Sequence, residues 1–245
     1  MMKIGILGCG WLGKQIAEKL IDTGYQVTGS TSKLEHVNEL KNLGIEAIVW
    51  QKPAFDELPI VFSDCQCAII AFPPKVYDGN SNVLGNWLAA MPNLNQVILM
   101  SSTSIYSDKS GIINEQSPIN EGILADLEKA VSQSNLLNKT ILRLSGLIGK
   151  DREIAQYFHA NPAKYVANES MNLITGNEVV SFTLEVILNK ISGIYNLCSQ
   201  HPLRLDFYMA YCLKHGLIPG KMQEVANPTI RIIKSLYPIN QKTPN

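Results

Sequence analysis

The feature that most constrains the fold is a glycine-rich turn near the start of the chain, between a strand pattern and a helix pattern. The apolar segment Lys3–Leu7 runs directly into Gly8-Cys9-Gly10-Trp11-Leu12-Gly13, a GxGxxG sequence. After this turn, four apolar residues fall on one side of a helix: Ile16, Ala17, Leu20 and Ile21. A glycine-rich turn in this context predicts the first unit of a parallel α/β sheet.

The rest of the chain alternates β-branched runs with helical patterns, which predicts a Rossmann-type α/β fold with a doubly wound parallel sheet. The expected core strands are Lys3–Leu7, Gln26–Gly29, Glu46–Trp50, Cys67–Phe72, Gln96–Ser101 and Thr140–Leu144. The expected core helices after the first are Lys33–Leu43, Ser81–Met91 and Ile123–Leu137. We expect this nucleotide-binding core to span residues 1–150.

Residues 151–245 predict a small C-terminal substrate lobe, with some segments returning to the core. Its expected helices are Arg152–His159, Glu178–Ile191 and Arg204–His215, and its expected strands are Asn172–Thr175 and Gly193–Leu197. The tail from Pro219 also contains Pro228, Pro238 and Pro244, so we expect little regular structure there.

Composition argues against several classes of partner. The 21 basic and 21 acidic residues cancel, so the excess charge that nucleic-acid binding needs is missing. No apolar run approaches the roughly 20 residues that cross a bilayer, and the early strand leaves no room for a signal peptide. Five irregularly spaced cysteines do not form a disulfide framework. We expect a cytoplasmic protein that binds a small-molecule substrate but neither nucleic acid nor membrane.

Each glycine of the turn has a physical role in binding a dinucleotide. Gly8 would allow the tight turn, Gly10 would let a pyrophosphate approach the backbone, and Gly13 would let helix and strand pack closely. The helix that starts at Trp11 and Leu12 would offer free N–H groups to the phosphates. The alternative is a purely structural turn, and the strand–turn–helix context favours a ligand.

The end of the second strand indicates which dinucleotide would bind. An acidic residue there accepts the ribose hydroxyls of NAD, but this chain has Ser30, Thr31, Ser32 and Lys33. Three hydroxyls and one ammonium suit the 2′-phosphate of NADP, so NADP is favoured over NAD. Alternatively, the hydroxyls cap the next helix and Lys33 is solvated.

Three further segments extend the pattern beyond the glycine turn. They are Ala71-Phe72-Pro73-Pro74 after the fourth strand, Met100-Ser101-Ser102-Thr103-Ser104-Ile105-Tyr106 after the fifth, and Leu142-Arg143-Leu144-Ser145-Gly146-Leu147-Ile148-Gly149 at the sixth. In this order, over about residues 3–200, the chain resembles the extended short-chain dehydrogenase/reductase family, the NAD(P)-dependent epimerase/dehydratase group. It is most similar to an atypical branch whose turn also reads GCGWLG.

The resemblance implies a set of site residues. Ser102 would bind and polarise the substrate, and the cofactor would contact Ala71, Phe72, Pro73, Ser101 and Ser145. The family also carries a YxxxK acid/base pair on the next helix. Here Gly122 aligns with the tyrosine and Asp126 with the lysine, and no tyrosine in the chain has lysine four residues later. Asp126 could still hydrogen-bond the cofactor ribose.

Any acid/base chemistry must therefore use another group. Tyr106 is the leading candidate because it is the one phenol expected near the nicotinamide end. Asp108, Glu115 and Glu121 also lie near the expected cleft, although a solvated-loop role fits each of them better. Arg143 is equally compatible with a structural ion pair and a cofactor contact. Arg152 is the candidate for an anionic substrate group.

Other reactive residues fit the core better than a site. Cys65 and Cys67 lead into a buried strand and have no partner pair at zinc spacing, so we expect no metal. The four histidines lie in separate elements. Trp87 and its apolar neighbours fall at helical spacing, which is typical of a core face.

Two functions follow from these residues, together with a weaker one. The first is an NAD(P)-dependent oxidoreductase or epimerase, acting on a sugar-nucleotide-like or other small substrate with a non-standard acid/base. The alternative is a non-catalytic NAD(P) sensor or partner-binding protein. The third, a relic that binds nothing, is disfavoured by the intact glycine turn. Family members often pair through the third and fourth expected helices, so a homodimer is also an expectation.

Overall fold

The computed structural model describes residues 1–51, 57–77, 82–149 and 151–237, and a seven-stranded parallel sheet forms its centre. The first half contains β1 Lys3–Leu7, α1 Trp11–Asp22, β2 Gln26–Thr31, α2 Leu34–Asn42, β3 Glu46–Val49, β4 Cys67–Ile70, α3 Asn82–Ala89, β5 Gln96–Ser102 and β6 Gly111–Ile113. The second half contains α4 Ile123–Gln133, β7 Asn138–Leu144, β8 Gly146–Ile148, α5 Ala155–Ala160, β9 Leu173–Thr175, α6 Gly176–Asn189, β10 Gly193–Leu197, α7 Arg204–His215 and β11 Arg231–Ile233.

The order of the strands places the glycine turn at the sheet's central crevice. The order is β10-β7-β5-β4-β1-β2-β3, and every neighbouring pair is parallel. The chain therefore leaves β1 toward one edge and continues from β4 toward the other. Ligands of such sheets bind at the carboxyl ends of the strands where the order reverses. The loops that follow β1 and β4 meet at this point.

Two apolar layers cover the sheet because its strands are buried on both faces. Helices α1, α2 and α6 cover one face through residues such as Ile16, Leu40 and Val179. Helices α3 and α4 cover the other, where Trp87 and Val131 are buried. Continuous apolar runs such as Cys67–Ile70, buried along its whole length, are what a doubly covered parallel strand requires.

A separate apolar cluster holds α5 and α7 against the connecting segments of the C-terminal part. Its members include Phe158, Met171, Tyr208 and Met222. Helix α6 and strand β10 pack with the main sheet instead. Among the described residues, no helix is both long and apolar enough to cross a bilayer.

The predicted Rossmann-type fold is confirmed, and the differences lie in short elements. The expected strand Cys67–Phe72 ends at Ile70, and the expected helix from Arg152 begins at Ala155. The short strands β6, β8 and β11 were not predicted because three residues carry no periodicity. Ser81, Lys150, Pro238 and Pro244 lie outside the described residues.

The expectation of an irregular tail is wrong for one segment. Strand β11 pairs in parallel with β6, and the amide of Lys234 continues the pairing by donating to Ile113. This pairing brings the tail back across the carboxyl end of the main sheet. Pro219 and Pro228 lie in irregular segments before the strand, as predicted, but the prolines gave no signal for its pairing.

Candidate functional site

The three glycines of the turn have different surroundings, and those of Gly8 and Gly13 match their predicted packing roles. A Cβ on Gly8 would lie 3.0 Å from the backbone of Ala71, and the φ of Gly8 is +107°. A Cβ on Gly13 would overlap the carbonyl oxygen of Gly8. A Cβ on Gly10 would have no atom within 4 Å. Gly8 and Gly13 are therefore required by packing, whereas Gly10 leaves the backbone accessible.

The N-terminus of α1 opens at the same point. Gly10 is the N-cap residue, no side chain caps the helix, and its first turn carries no acidic residue. The amides in the first turn of an α-helix have no acceptor within the helix, and the amide of Leu12 is one of these. Helix N-termini of this kind favour anionic groups such as phosphates.

The indole of Trp11 packs against Gly149 and Gly176. Cβ atoms built on Gly149 and Gly176 would lie 3.4 and 2.8 Å from its ring. The guanidinium of Arg152 lies 5.3 Å from the ring centroid, and its Nε donates to the carbonyl of Leu147 at 3.0 Å. Arg152 is exposed and lies beside the glycine turn.

The hydroxyl side chains at the end of β2 differ in burial: some are enclosed near the glycine turn and others are exposed. Ser30 is fully buried, and its Oγ accepts the amide of Gly8 at 3.0 Å, so it shapes the turn and has no surface for a ligand. Thr31 is buried, while Ser32 and Lys33 are exposed. The Nζ of Lys33 lies 3.2 Å from Glu35. Neither serine caps α2, whose N-cap is Lys33 without a side-chain bond.

The loop after β4 forms the facing wall of the crevice. Ala71 and Phe72 are half-buried and Pro73 is exposed. The ring of Phe72 lies 5.6 Å from Trp50 and 5.9 Å from Trp87, which anchors the loop to the core. Since this loop contacts Gly8, the two predicted cofactor segments are brought together.

The two serines at the end of β5 face different surroundings. Ser102 is half-buried, and its Oγ accepts the amide of Ser104 at 3.1 Å. Ser101 is buried and donates its hydroxyl hydrogen to Oε1 of Glu128 at 2.6 Å. Ser102 is thus accessible at the carboxyl edge, while Ser101 is committed to a contact inside the protein. Ser145, at the end of β7, is also buried.

A buried charged network lies beneath this edge. Arg143 of β7 and Glu128 of α4 are 3% and 5% exposed, and Nη2 of the arginine lies 2.7 Å from the carboxylate. Nη1 of Arg143 donates to the hydroxyl of Tyr106 at 2.9 Å, and that hydroxyl donates to Asn196 at 2.6 Å. Burial alone would lower the pKa of Arg143, but the hydrogen bond and charge of Glu128 raise it.

The network corrects the catalytic role predicted for Tyr106. Its side chain is 1% exposed, and its oxygen is already bonded to Arg143 and Asn196. Burial raises the pKa of the phenol, and the opposing effect of Arg143 is smaller. A substrate cannot reach this oxygen, so Tyr106 is a member of the buried network.

The cofactor role predicted for Asp126 is also corrected. Asp126 is exposed and lines the groove between α3 and α4, on the side of the helix away from the sheet. The residues of α4 that face inward are Leu127, Glu128 and Val131. Asp126 and Glu128 are two residues apart, which separates their side chains by roughly 200° around the helix axis. Asp126 therefore lies on the face of α4 opposite to Glu128.

The other acidic candidates have no catalytic geometry. The carboxylate of Glu115 accepts from the amide of Asn196 at 2.8 Å, from the hydroxyl of Ser235 at 2.6 Å and from the amide of Leu236 at 2.8 Å. It therefore fastens the tail to β10. Asp108 and Glu121 are exposed.

Several residues of the carboxyl edge were not identified from the sequence. Glu128, Asn196, Asn172, His201 and Arg231 are brought together only by α4, β10 and β11, which are distant in the chain. Glu128 could have been found as the acidic residue on the apolar face of an amphipathic helix, since such a residue needs a buried partner.

One comparison with known proteins covers only the part of the chain around the glycine turn, and others cover nearly the whole chain. Residues 3–84, which contain the glycine turn, match the family model described as NADP oxidoreductase coenzyme F420-dependent. The Bordetella bronchiseptica enzyme WbmH, solved with NAD+, superposes with a TM-score of 0.79 at 17% identity, over 96% of this chain and 89% of that one. A Methylobacillus flagellatus protein described as a putative NAD-dependent epimerase/dehydratase gives 0.74 at 20% identity, over 95% and 89%.

These likenesses define the class: a Rossmann-type α/β protein with the fold of the epimerase/dehydratase enzymes. Within it, the chain belongs to the family of Protein YeeZ of Escherichia coli (strain K12). The two sequences are 30% identical over 244 residues, which cover 91% of this chain and 87% of the relative. The Escherichia coli O157:H7 protein of the same name matches equally.

The buried ion pair yields a prediction about stability. Glu128→Gln removes the partner of a buried arginine, so the free energy of unfolding should fall by about 3–5 kcal/mol. Asp126→Asn makes the same chemical change two residues earlier on the exposed face, and should alter stability by about 0.5 kcal/mol or less. Denaturant unfolding of both variants measures the difference. Equal effects would show that the Glu128–Arg143 pair is not a buried anchor.

Proposed function

We propose that this protein binds NADP in preference to NAD across the glycine turn and acts on a small substrate as an oxidoreductase or epimerase. The observation that carries the proposal is the open position of Gly10 at an uncapped helix N-terminus. It lies where the strand order of the sheet reverses. A pyrophosphate needs this combination of close backbone approach and free amides. Enzymes of the same fold, including WbmH, were solved with NAD bound.

The preference for NADP is supported by the end of β2. No carboxylate follows this strand directly, and Ser32 and Lys33 are both exposed where the adenosine ribose of a dinucleotide would lie. A 2′-phosphate can accept hydrogen bonds from both residues. Glu35 competes for Lys33, so the preference should be modest. The description of the matching family model also names NADP.

The substrate would bind at the carboxyl end of β5. Ser102 offers an accessible hydroxyl there, held by Ser104, and can donate a hydrogen bond to a carbonyl or hydroxyl oxygen. The resemblance to epimerase/dehydratase enzymes assigns the same role to this serine. The lobe around α5 and α7 would cover the substrate.

A second function is favoured by one observation. Tyr106 and Glu128 are both buried and paired, so neither can exchange a proton with a substrate. A protein that binds the dinucleotide without turnover, as a sensor or partner-binding protein, would need no such group. Dinucleotide binding is common to both functions, and turnover separates them.

Dinucleotide binding is tested at Gly10. Gly10→Val places a branched side chain in the open space where the pyrophosphate would lie, so NADPH affinity should fall at least about 100-fold, or roughly 2.7 kcal/mol. The φ of Gly10 is −78°, which valine can adopt, so the fold should survive. Gly85→Val is the matched control. A Cβ on Gly85 would also have no atom within 4 Å, but Gly85 lies on α3, away from the glycine turn. NADPH fluorescence titration that gives equal affinities would remove the turn from the binding site.

Cofactor preference is tested at Lys33. Lys33→Ala removes an exposed ammonium that a 2′-phosphate alone would contact, so NADP affinity should fall by about two- to tenfold and NAD affinity should stay unchanged. Lys41→Ala, on the exposed end of α2, should change neither. Calorimetric titration with both dinucleotides measures the ratio. A wild-type protein that prefers NAD would contradict the proposal.

Turnover is tested at Ser102. Ser102→Ala should lower kcat at least about 100-fold with any substrate that wild type turns over, because the donor to the reacting oxygen is lost. Ser110→Ala, on the exposed loop before β6, should leave it unchanged. NADPH oxidation and sugar-nucleotide epimerisation are the measurements. Tight NADPH binding by wild type without turnover on a broad panel would favour the sensor.

A further inference from the structure

Arg231 of β11 is an arginine without a carboxylate partner at the carboxyl edge of the sheet. Its Nη2 donates to the carbonyl of Thr103 at 2.8 Å, directly after Ser102. Its Nε is enclosed by protein and has no hydrogen-bond partner, while the residue as a whole is half-buried. Arg143 and Arg204, by contrast, are paired with Glu128 and Glu169. In the part of the chain that the structure describes, no carboxylate lies within ion-pair distance of Arg231.

The backbone that carries Arg231 is fixed from the segment before β9. The amide of Arg231 donates to the hydroxyl of Ser170 at 2.8 Å, and that hydroxyl donates to the carbonyl of Arg231 at 3.0 Å. Nδ2 of Asn172 donates to the same carbonyl at 2.8 Å. The guanidinium is therefore anchored at both ends, by Thr103 and by its own backbone.

Asn172 also orients a histidine beside this strand. Its Oδ1 accepts the amide of Ile233 at 2.8 Å and lies 3.0 Å from Nδ1 of His201. An amide oxygen can only accept, so Nδ1 carries the proton and Nε2 keeps a free lone pair. Burial lowers the pKa of His201, and the positive charge of Lys234 lowers it further. The thiol of Cys198, 3.7 Å from Nδ1, is the other titratable group in contact, and burial raises its pKa.

The register of the sheet places these residues near Ser102. Ser102 pairs with Leu144, and Leu144 pairs with Leu197, the residue before Cys198. Neighbouring strands are about 4.8 Å apart, so the ends of β5 and β10 lie about 10 Å apart. Arg231 contacts Thr103, the residue directly after Ser102. A small molecule can therefore contact Ser102 and Arg231 together.

We propose that Arg231 binds an anionic oxygen group of the substrate, a carboxylate or a phosphate, beside Ser102, with Nε2 of His201 accepting a hydrogen bond from a neighbouring hydroxyl. The substrate class is thus a small hydroxylated anion. The sequence alone predicts Arg152, and not Arg231, as the residue that binds an anionic substrate group. The inference rests on the proposed function for the substrate itself, but anion binding at Arg231 can be tested without a dinucleotide.

The physical reason is the environment of the charge. A guanidinium that is partly removed from water without a close counter-charge is unfavourable, and an anion bound at its accessible side supplies that charge. Burial lowers the pKa of Arg231, and the electrostatic effects of Tyr106 and Asp108 oppose this lowering. A bound anion would supply the counter-charge, so its binding should also stabilise the fold.

Anion titration in the Gly10→Val background tests the proposal, because this variant blocks the phosphate site at the glycine turn. Inorganic phosphate and malonate are added separately, and the shifts of the backbone amide signals are followed by NMR in each variant. Arg231→Gln keeps a donor toward Thr103 but removes the charge. We expect it to weaken binding of the preferred anion at least about tenfold. Arg152→Gln is the matched control and should leave the affinity unchanged.

The outcomes are distinguishable from those of the dinucleotide proposal. A response to phosphate alone identifies a phosphorylated substrate, and a response to malonate alone identifies a carboxylate. Equal affinity in Arg231→Gln and its parent overturns the proposal, as does loss of binding in Arg152→Gln instead. The thermal transition of Arg231→Gln without anion shows whether the variant folds. A failure of NADPH to bind wild type would overturn the proposed cofactor and leave the anion site standing.

Discussion

The buried pair of Glu128 and Arg143 is the interaction on which the carboxyl edge of the sheet depends. It joins α4 to β7 and extends through Ser101 to β5 and through Tyr106 to Asn196 of β10. A buried charge without its partner is strongly unfavourable, so these elements hold a common arrangement. The same pair fixes which groups are left to meet a substrate. It withdraws Ser101 and Tyr106 from the surface and leaves Ser102 accessible.

The conformation of the glycine turn depends on a different constraint: there is no room for a side chain at Gly8 and Gly13. Gly13 lets α1 pack against the turn, and Gly8 lets the turn pass the backbone of Ala71. Gly10 has no such neighbour, so packing does not require a glycine there, and its bare backbone is open to the proposed ligand. Ser30 completes the arrangement, since its buried hydroxyl holds the amide of Gly8. The phosphate end of the proposed site is thus built from backbone, and its shape is independent of the substrate chemistry.

The substrate end is assembled from segments that are far apart in the chain. Strand β11 returns to pair with β6, and Glu115 and Asn196 fasten the residues that follow it. This return places Arg231 beside Thr103. In the proposed substrate site, the charged residue therefore comes from the tail. Fold likeness alone identifies no substrate, and the side chains at this edge must decide it.

The sequence by itself determined the α/β architecture, the position of the glycine turn and the packing roles of Gly8 and Gly13. These features are local: period, turn residues and glycine spacing act within about 20 residues. The tertiary structure alone decided which face of α4 meets the sheet, and so why Glu128 is buried and Asp126 is exposed. It also decided that Tyr106 is enclosed and that Arg231 lies beside Thr103, because contacts across 37 and 128 positions of chain leave no local pattern.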